Sequence, residues 1–376
     1  MRTRLANIRR LGVKEIRSFL HDRALLIFVL AAFTIIVYSA ATAASRELRN
    51  APLAIVDEDQ SQLSLRIANA FYPPHFKEPE LISYAEVDAG MDEGRYTFVV
   101  VIPSGFQKDV MAGGSADVQV NIDATAMTQA FIGATYIRSI VTAEVNEFVS
   151  GRRDDAALPI EQNVRVMFNP NLTGYWFGGV MEIISQITLL SIILTGAALI
   201  REKEHGTLEH LLVMPLSPLE IMAAKVWSNG LVVLLGAAMS LYVVIQGVLD
   251  VPIAGSIPLF LVGVALHLFS TTSMGIFLGT VARSMPQLGL LIILVILPMQ
   301  LLSGGITPRE SMPDIVQYIM LAAPTTHFVS FAQAIIYRGA GFSAVWPQFL
   351  AITAIGLALF LAALGRFRKM VETTQS

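Results

Sequence analysis

The sequence predicts an α-helical polytopic membrane protein with six transmembrane helices and an inserted α/β domain. Three observations lead there. Only 15% of the 376 residues are charged and 54% are hydrophobic, whereas soluble domains carry about 25% charged residues. The apolar residues gather in runs close to the ~20 residues that a helix needs to cross the hydrocarbon. Basic residues crowd the two ends of the chain. An ordinary cytosolic enzyme is excluded. With no cysteine, so are a disulfide scaffold, a thiolate metal site and a cysteine nucleophile.

Residues 1–23 carry Arg2, Arg4, Arg9, Arg10, Lys14, Arg17 and Arg23 against only Glu15 and Asp22. Leu5, Ile8, Ile16, Phe19 and Leu20 fall near helical spacing, with Arg9, Arg10, Lys14 and Arg17 between them. This pattern predicts an amphipathic helix lying among the lipids of the inner membrane interface. The first span, 24–44, is free of charge. Its basic approach and its end at Ala41-Thr42-Ala43-Ala44 look like a cleaved leader, but the apolar run exceeds the roughly 7–15 residues of one, so a retained span is expected.

Five more spans follow, at 175–200, 226–249, 257–282, 286–303 and 346–365. Arg283, Ser284 and Met285 alone separate the fourth from the fifth, as in a tight hairpin. Arg366, Arg368 and Lys369 follow the last, in a short tail, 366–376. An even number of spans puts both ends on one side, and both ends are basic, so both termini are expected in the cytoplasm. Residues 45–173 then fall on the outer face, with 18 acidic against 10 basic residues.

That outer segment alternates strand-like and helix-like pieces. Pro52–Val56 is a short apolar run, and Gln62–Phe71 has helical spacing. Tyr96–Ile102 is a buried-strand pattern stopped by Pro103, and Val118–Ile122 alternates as another strand. A long helix is expected over Met127–Val149. Repeated β-then-α order predicts a compact α/β domain. Asp57, Glu58 and Asp59 read as a solvated turn after a strand rather than a cation site. No catalytic signature occurs in the domain, which reads as an interaction or gating module.

The connection between the second and third spans, 201–225, is the most informative loop. Its first part reads as a helix continuing past the membrane, with charges beside Leu208, Leu211 and Leu212, ended by Pro215. Ser217 then looks like an N-cap, with Pro218 in the first helical position and Glu220 completing a capping box. Two short helices meeting at a stiffened elbow make a shape suited to docking on another protein.

The string REKEHGTLEHLLVMPLSPLEIMAAK resembles the cytoplasmic motif of ABC-2 type permeases, the membrane subunits of bacterial ABC exporters. Glu202, Glu204, Gly206, Thr207, Glu209, Leu211, Leu212, Pro215, Ser217, Pro218 and Lys225 occupy the motif's places. His205 stands where many relatives have Arg. The likeness extends to the amphipathic leading helix, the large domain after the first span and the turn Ser303-Gly304-Gly305-Ile306-Thr307-Pro308. It implies a fold of ABC-2 exporter type in a bacterial inner membrane, with the inserted domain periplasmic.

It further implies a dimer with a second permease copy or a paralogue. A nucleotide-binding ATPase subunit would dock on 201–225 and on the leading helix, binding the ATP and Mg itself. A periplasmic membrane-fusion adaptor often accompanies such permeases. The cargo class would be drugs, lipids or other amphiphiles. No cofactor on this chain and no nucleic-acid partner are expected.

The residues bear on the chemistry directly. ATP hydrolysis needs a phosphate loop of the form GxxxxGK[ST], and none of the six lysines follows a glycine. His205 and His210, five residues apart, are rotated by ~140° on a helix and would share no face for a metal. Polar groups within spans are costly and mark function or helix pairing. Glu182 is the strongest instance, read as path-lining, paired or interfacial; Gln186 and Gln300 are further candidates for the transport path, and bonding between helices is the default reading for both and for Gln246 and His267.

Residues 304–345 form a re-entrant segment, with short helices over Ile315–Ala323 and Thr326–Tyr337 broken at Pro324. With Gly304 and Gly305 they are candidates for an outer gate, irregular backbone being tolerated only where protein or water covers it. A membrane-anchored periplasmic sensor and an ATP-independent carrier are the alternatives. The first would need a cytosolic output domain and the second intramembrane catalytic residues or repeated hydropathy.

Overall fold

The computed structural model describes residues 2–43, 48, 50–114, 116–123, 127–150, 174–206 and 216–375. The chain divides into two compact units, Met1–Ala44 with Tyr175–Ser376, and Ser45–Gly174. In chain order, α1 (Arg2–His21) and α2 (Arg23–Ala43) come first. The inserted unit carries β1 (Leu53–Asp57), α3 (Gln62–Asn69), β2 (Glu80–Leu81), α4 (Val87–Asp92), β3 (Phe98–Ile102), α5 (Phe106–Met111), β4 (Gln119–Ile122) and α6 (Met127–Ser150). Then follow α7 (Gly174–Glu204), α8 (Pro218–Val248), α9 (Ile257–Val281), α10 (Met285–Leu301), α11 (Asp314–Met320), α12 (Pro324–Ile336) and α13 (Phe342–Gln375).

The inserted unit is built on a mixed sheet in the order β2-β1-β3-β4. β1 runs parallel to β2 and β3, and β4 pairs antiparallel with β3. Side chains alternate across a strand, and both faces are used. Leu53, Ile55, Phe98, Val100 and Ile102 point to one core with Leu63 and Ile67 of α3, Phe106 of α5 and Ile137 of α6. Ala54, Val56, Val99 and Val101 point to the other with Val87. Burial on both faces explains why β1 and β3 read as continuous apolar runs.

The acids after β1 have a structural task. Asp57 Oδ1 accepts from the amides of Asp59 at 3.1 Å and Gln60 at 2.8 Å, and its Oδ2 takes the Ser64 hydroxyl at 2.8 Å. Asp59 accepts from the amides of Gly105 at 2.8 Å and Gln107 at 3.1 Å, across the unit at the start of α5. These carboxylates tie the ends of β1 and β3 together.

In the helical unit, α2, α7, α8, α9 and α13 are each long and apolar enough to cross a membrane. α10 has 17 residues and is shorter than those five. α11 and α12 meet at 89° across a break that ends at Pro324, and together they would make a sixth span or a re-entrant loop. The count is therefore five or six by length and composition, and the expected fifth span at 286–303 is the short α10. α12 packs Phe328, Phe331, Ile335 and Ile336 into the main core beside Phe260 of α9 and Phe349 of α13.

One departure concerns the tail. The helix of the last span does not stop near Gly365 but continues as α13 to Gln375. Phe367 and Val371 are buried with Leu11 of α1, Ile221 and Met222 of α8, and Leu216. An apolar pair at i and i+4 past the span carried this signal.

Burial opposes ionisation of Asp59, but the Ser61 hydroxyl and the amides of Gln107, Gly105 and Phe106 outweigh it and hold the carboxyl below its ordinary value. A depressed folded pKa gives stability that is present above the unfolded value of about 3.9 and is lost as pH falls through the folded one. Asp59→Ala should therefore weaken this tie by about 1–2 kcal/mol at neutral pH. Hydrogen exchange of the full chain checks it: protection of the Gly105 and Gln107 amides should drop in the variant, and the wild type should lose it only below about pH 4.

Candidate functional site

α7 ends in Arg201-Glu202-Lys203-Glu204. Successive helical residues turn by about 100°, so four in a row face four directions. Arg201 Nη1 donates to Asp22 Oδ2 at 3.2 Å. Asp22 is itself the N-cap of α2, accepting from the Leu25 amide at 3.1 Å. That amide bond, reinforced by Arg201, holds the Asp22 carboxyl below its ordinary range although partial burial works against it.

Glu202 Oε1 lies 2.8 Å from Lys225 Nζ on α8, and Glu15 of α1 completes the group at 3.5 Å. Lys225 is 3% exposed, Glu202 12% and Glu15 17%. Lys203 Nζ donates to the carbonyls of Ala282 at 2.7 Å and Gly279 at 3.4 Å, at the C-terminal end of α9. Glu204 Oε1 accepts from the Met285 amide at 2.9 Å, at the first turn of α10. The cation meets a helix's free carbonyls and the anion a helix's free amide, which is the favourable sense of both dipoles.

α1 is fastened to the same place. The Asn7 side chain donates to Glu220 Oε1 at 3.1 Å. Glu220 Oε2 also takes the Ser217 amide and hydroxyl, each at 2.7 Å, in the expected capping box with Pro218 at the start of α8. The Trp227 indole donates to the Ile8 carbonyl at 3.2 Å. It lies where a Cβ on Gly12 would be, so only glycine leaves room for it.

The motif residues divide. Glu202, Glu204 and His205 are in or just after the last turn of α7, and His205 Nδ1 bonds back to the Arg201 carbonyl at 2.8 Å. α7 itself ends at Glu204, and the further stretch of helix expected up to Pro215 lies outside the described residues. Gly206 has φ of +68° with nothing near its missing side chain among the described residues, and it ends the helix in the left-handed conformation that glycine tolerates. Thr207, Glu209, Leu211, Leu212 and Pro215 lie outside the described residues.

On α1, Glu15 turns inward, whereas Arg9, Arg10, Lys14 and Arg17 are exposed. Sequence reading singled out the basic residues. It missed Asn7, Gly12 and Glu15, whose signal was helical spacing on the face opposite the charges.

The intramembrane candidates sit elsewhere in the unit. Gln186 donates to Glu182 at 2.6 Å along the same face of α7, so the acid is paired within its own helix. Gln300 of α10 reaches the Ser185 carbonyl at 3.5 Å and, with Ser185, Thr188 and Gly305, lines a cavity of about 20 Å³. That is room for about one water. Glu182 and Gln186 do not line it. His267, fully buried, bonds between helices as expected, to Thr188 at 2.9 Å, and stacks on Phe328. Gly304 has φ of +94°, and Pro324 is buried at the head of α12.

Comparison with known proteins bears on this arrangement. A family described as "ABC-2 family transporter protein" matches residues 23–364. The chain is 62% identical to "Inner membrane transport permease YhhJ" of Escherichia coli K12, over 98% of this chain and 99% of that protein. It is 28% identical to "Probable multidrug ABC transporter permease YbhR" of the same organism, over 95% and 97% of the two chains. The permease YbhS, also described as a probable multidrug ABC transporter permease, is 24% identical over 88% and 89%.

Removing Lys225 leaves two carboxylates facing one another in a buried place. Lys225→Met should lower stability by about 3 kcal/mol, and the triple change with Glu202→Gln and Glu15→Gln should recover more than half of it. The readout is the unfolding midpoint of the full chain in mild detergent.

Proposed function

The chain belongs to the ABC-2 family of transporter proteins, and from that premise we propose that it is the membrane-spanning permease subunit of an ATP-driven exporter. It is a multi-pass membrane protein and a transport subunit rather than an enzyme, and ABC-2 permeases work with an ATP-binding partner. The joint at the end of α7 carries the proposal. It binds α1, α2, α8, α9 and α10 at one end of the helical unit. A push delivered there by a partner reaches five helices at once.

In this reading the partner binds ATP and Mg, and its hydrolysis moves segment 201–225 and α1 together. Both termini face the cytoplasm of a bacterial cell, and the inserted unit faces the periplasm, where it meets a membrane-fusion adaptor. Two permeases, identical or paralogous, form the path. Glu182, Gln186 and Gln300 are its polar candidates, and α11, α12, Gly304, Gly305 and Pro324 its outer gate. The multidrug naming of YbhR and YbhS supports export of drug-like or lipid-like amphiphiles.

Purification of the tagged chain in mild detergent tests the reading. A stoichiometric companion with a phosphate-binding loop is expected; recovery of the chain alone, with no ATP-dependent behaviour on adding candidate ATPases, would overturn it. Two variants locate the coupling. Gly206→Val, strained by about 1–2 kcal/mol at positive φ, and Glu209→Lys should each lower recovery of the ATPase severalfold while membrane insertion is kept. Unchanged recovery and unchanged transport in both would remove 201–225 from the coupling role.

A further inference from the structure

The last helix is longer than a membrane requires. α13 runs from Phe342 to Gln375, 34 residues, which at 1.5 Å each is about 51 Å. Hydrocarbon takes up about 30 Å of that. Arg366, Arg368 and Lys369 end the apolar run, so most of the excess follows the span. No glycine or proline comes after Gly365 to stop the helix. Phe367 and Val371, at i and i+4, share one side of it.

That side is buried. Phe367 and Val371 are 1% and 9% exposed and belong to one apolar cluster with Leu11 of α1, Leu216, and Ile221 and Met222 in the first turns of α8. Leu216 is the first described residue after 207–215. The Arg366 guanidinium lies over the Phe277 ring of α9 at 5.7 Å. Higher up, a Cβ on Gly356 would meet the Phe269 ring of α9 at 2.9 Å, so α13 and α9 are closely packed there too. The end of α13 is therefore fastened to α1, to α8 and to α9. Arg368 stands about 100° round the helix from Phe367 and is exposed, with no ion pair among the described residues.

We propose that the end of α13 is a third foothold for the ATPase subunit, with Arg368 meeting a carboxylate of that partner. This rests on the reading of 201–225 and α1 as the docking place and adds an element to it. A body that bears on both of those elements straddles the cluster that holds Leu11 and Leu216, and the end of α13 closes that cluster. Anionic lipid headgroups are the rival for Arg368. They need only charges at the membrane surface, whereas here helical order and apolar burial continue past the charges to Val371. A load taken at this foothold passes along α13 to α9, which Lys203 already holds from α7.

The test uses the full chain, tagged and purified with its companion in mild detergent. Hydrogen exchange of the backbone amides of 368–375 should be slower in the complex than in the chain alone. Arg368→Glu should lower recovery of the ATPase by up to about fivefold with an unchanged unfolding midpoint, and high salt should narrow its difference from wild type. Phe367→Ala with Val371→Ala should also lower recovery although Arg368 is kept, and Phe367→Leu should restore it.

Unchanged exchange at 368–375, together with full recovery by Arg368→Glu, would overturn the proposal and leave Arg368 to lipid headgroups. If Glu209→Lys lost the ATPase while Arg368→Glu kept it, docking would be confined to 201–225, and the third foothold alone would fall. A wild-type chain that brings down no ATPase would overturn the transport reading and this inference together. Arg368 is exposed, so its variant decides the matter even if the double alanine change does not fold.

Discussion

A helix aims consecutive side chains about 100° apart, and that rotation lets Arg201, Glu202, Lys203 and Glu204 each reach a different helix. The order of charges is as important as their number. Lys203 falls on the carbonyl end of α9 and Glu204 on the amide end of α10; exchanging them would set each against a helix terminus of its own sign. A slip of α7 by one residue would misdirect all of them. The Arg201–Asp22 pair, 44% and 36% exposed, adds little energy. Lys225 and Glu202, out of water, chiefly fix which arrangement forms.

What keeps α7 from slipping is its contact with α9. Thr188 meets His267 at 2.9 Å, and the Ser191 hydroxyl donates to Thr271 at 2.6 Å one turn further along. Past them a Cβ on Gly275 would strike the Ile192 carbonyl, so the backbones approach as closely as small residues permit. In an apolar surround each hydroxyl left unpaired is costly, so the two helices hold one register. The residues beyond Thr195 are then pointed correctly at the base. Packing in the apolar part and charge pairing at its end are thus one constraint read at two places.

Much of this was legible in the sequence because the signals are long or local. Twenty-residue apolar runs identify spans by length alone, and the capping box from Ser217 to Glu220 is set by neighbours within one turn. The strands β1 and β3 were readable because both faces are buried. The two-residue β2 carries no periodicity, and it forms only because β1 offers a parallel edge at Ala54 and Ile55. The partners of Lys225 were not legible either. They come from positions 15 and 202, and nothing in a single sequence says that these meet. Helical spacing marked the face of Gly12 but not its partner, an indole 215 positions away.

The net charge of −3 conceals a sorting that the fold carries out. At the α1 end of the helical unit Arg4, Arg9, Arg10, Lys14, Arg17, Arg201, Arg283, Arg366, Arg368 and Lys369 are exposed. The acids Glu15, Asp22, Glu202 and Glu220 are wholly or partly withdrawn into bonds with Lys225, Arg201, Asn7 and helix amides. Turning acids inward satisfies them where an uncompensated charge would be expensive, and it removes them from the surface. Among the described residues the side chains that lock the joint therefore leave its outside mostly cationic, with Glu204 as an exposed acid. Stability of the base and its attraction for anions are consequences of one arrangement, so a change that frees an acid such as Glu15 would loosen α1 and dilute the positive surface together.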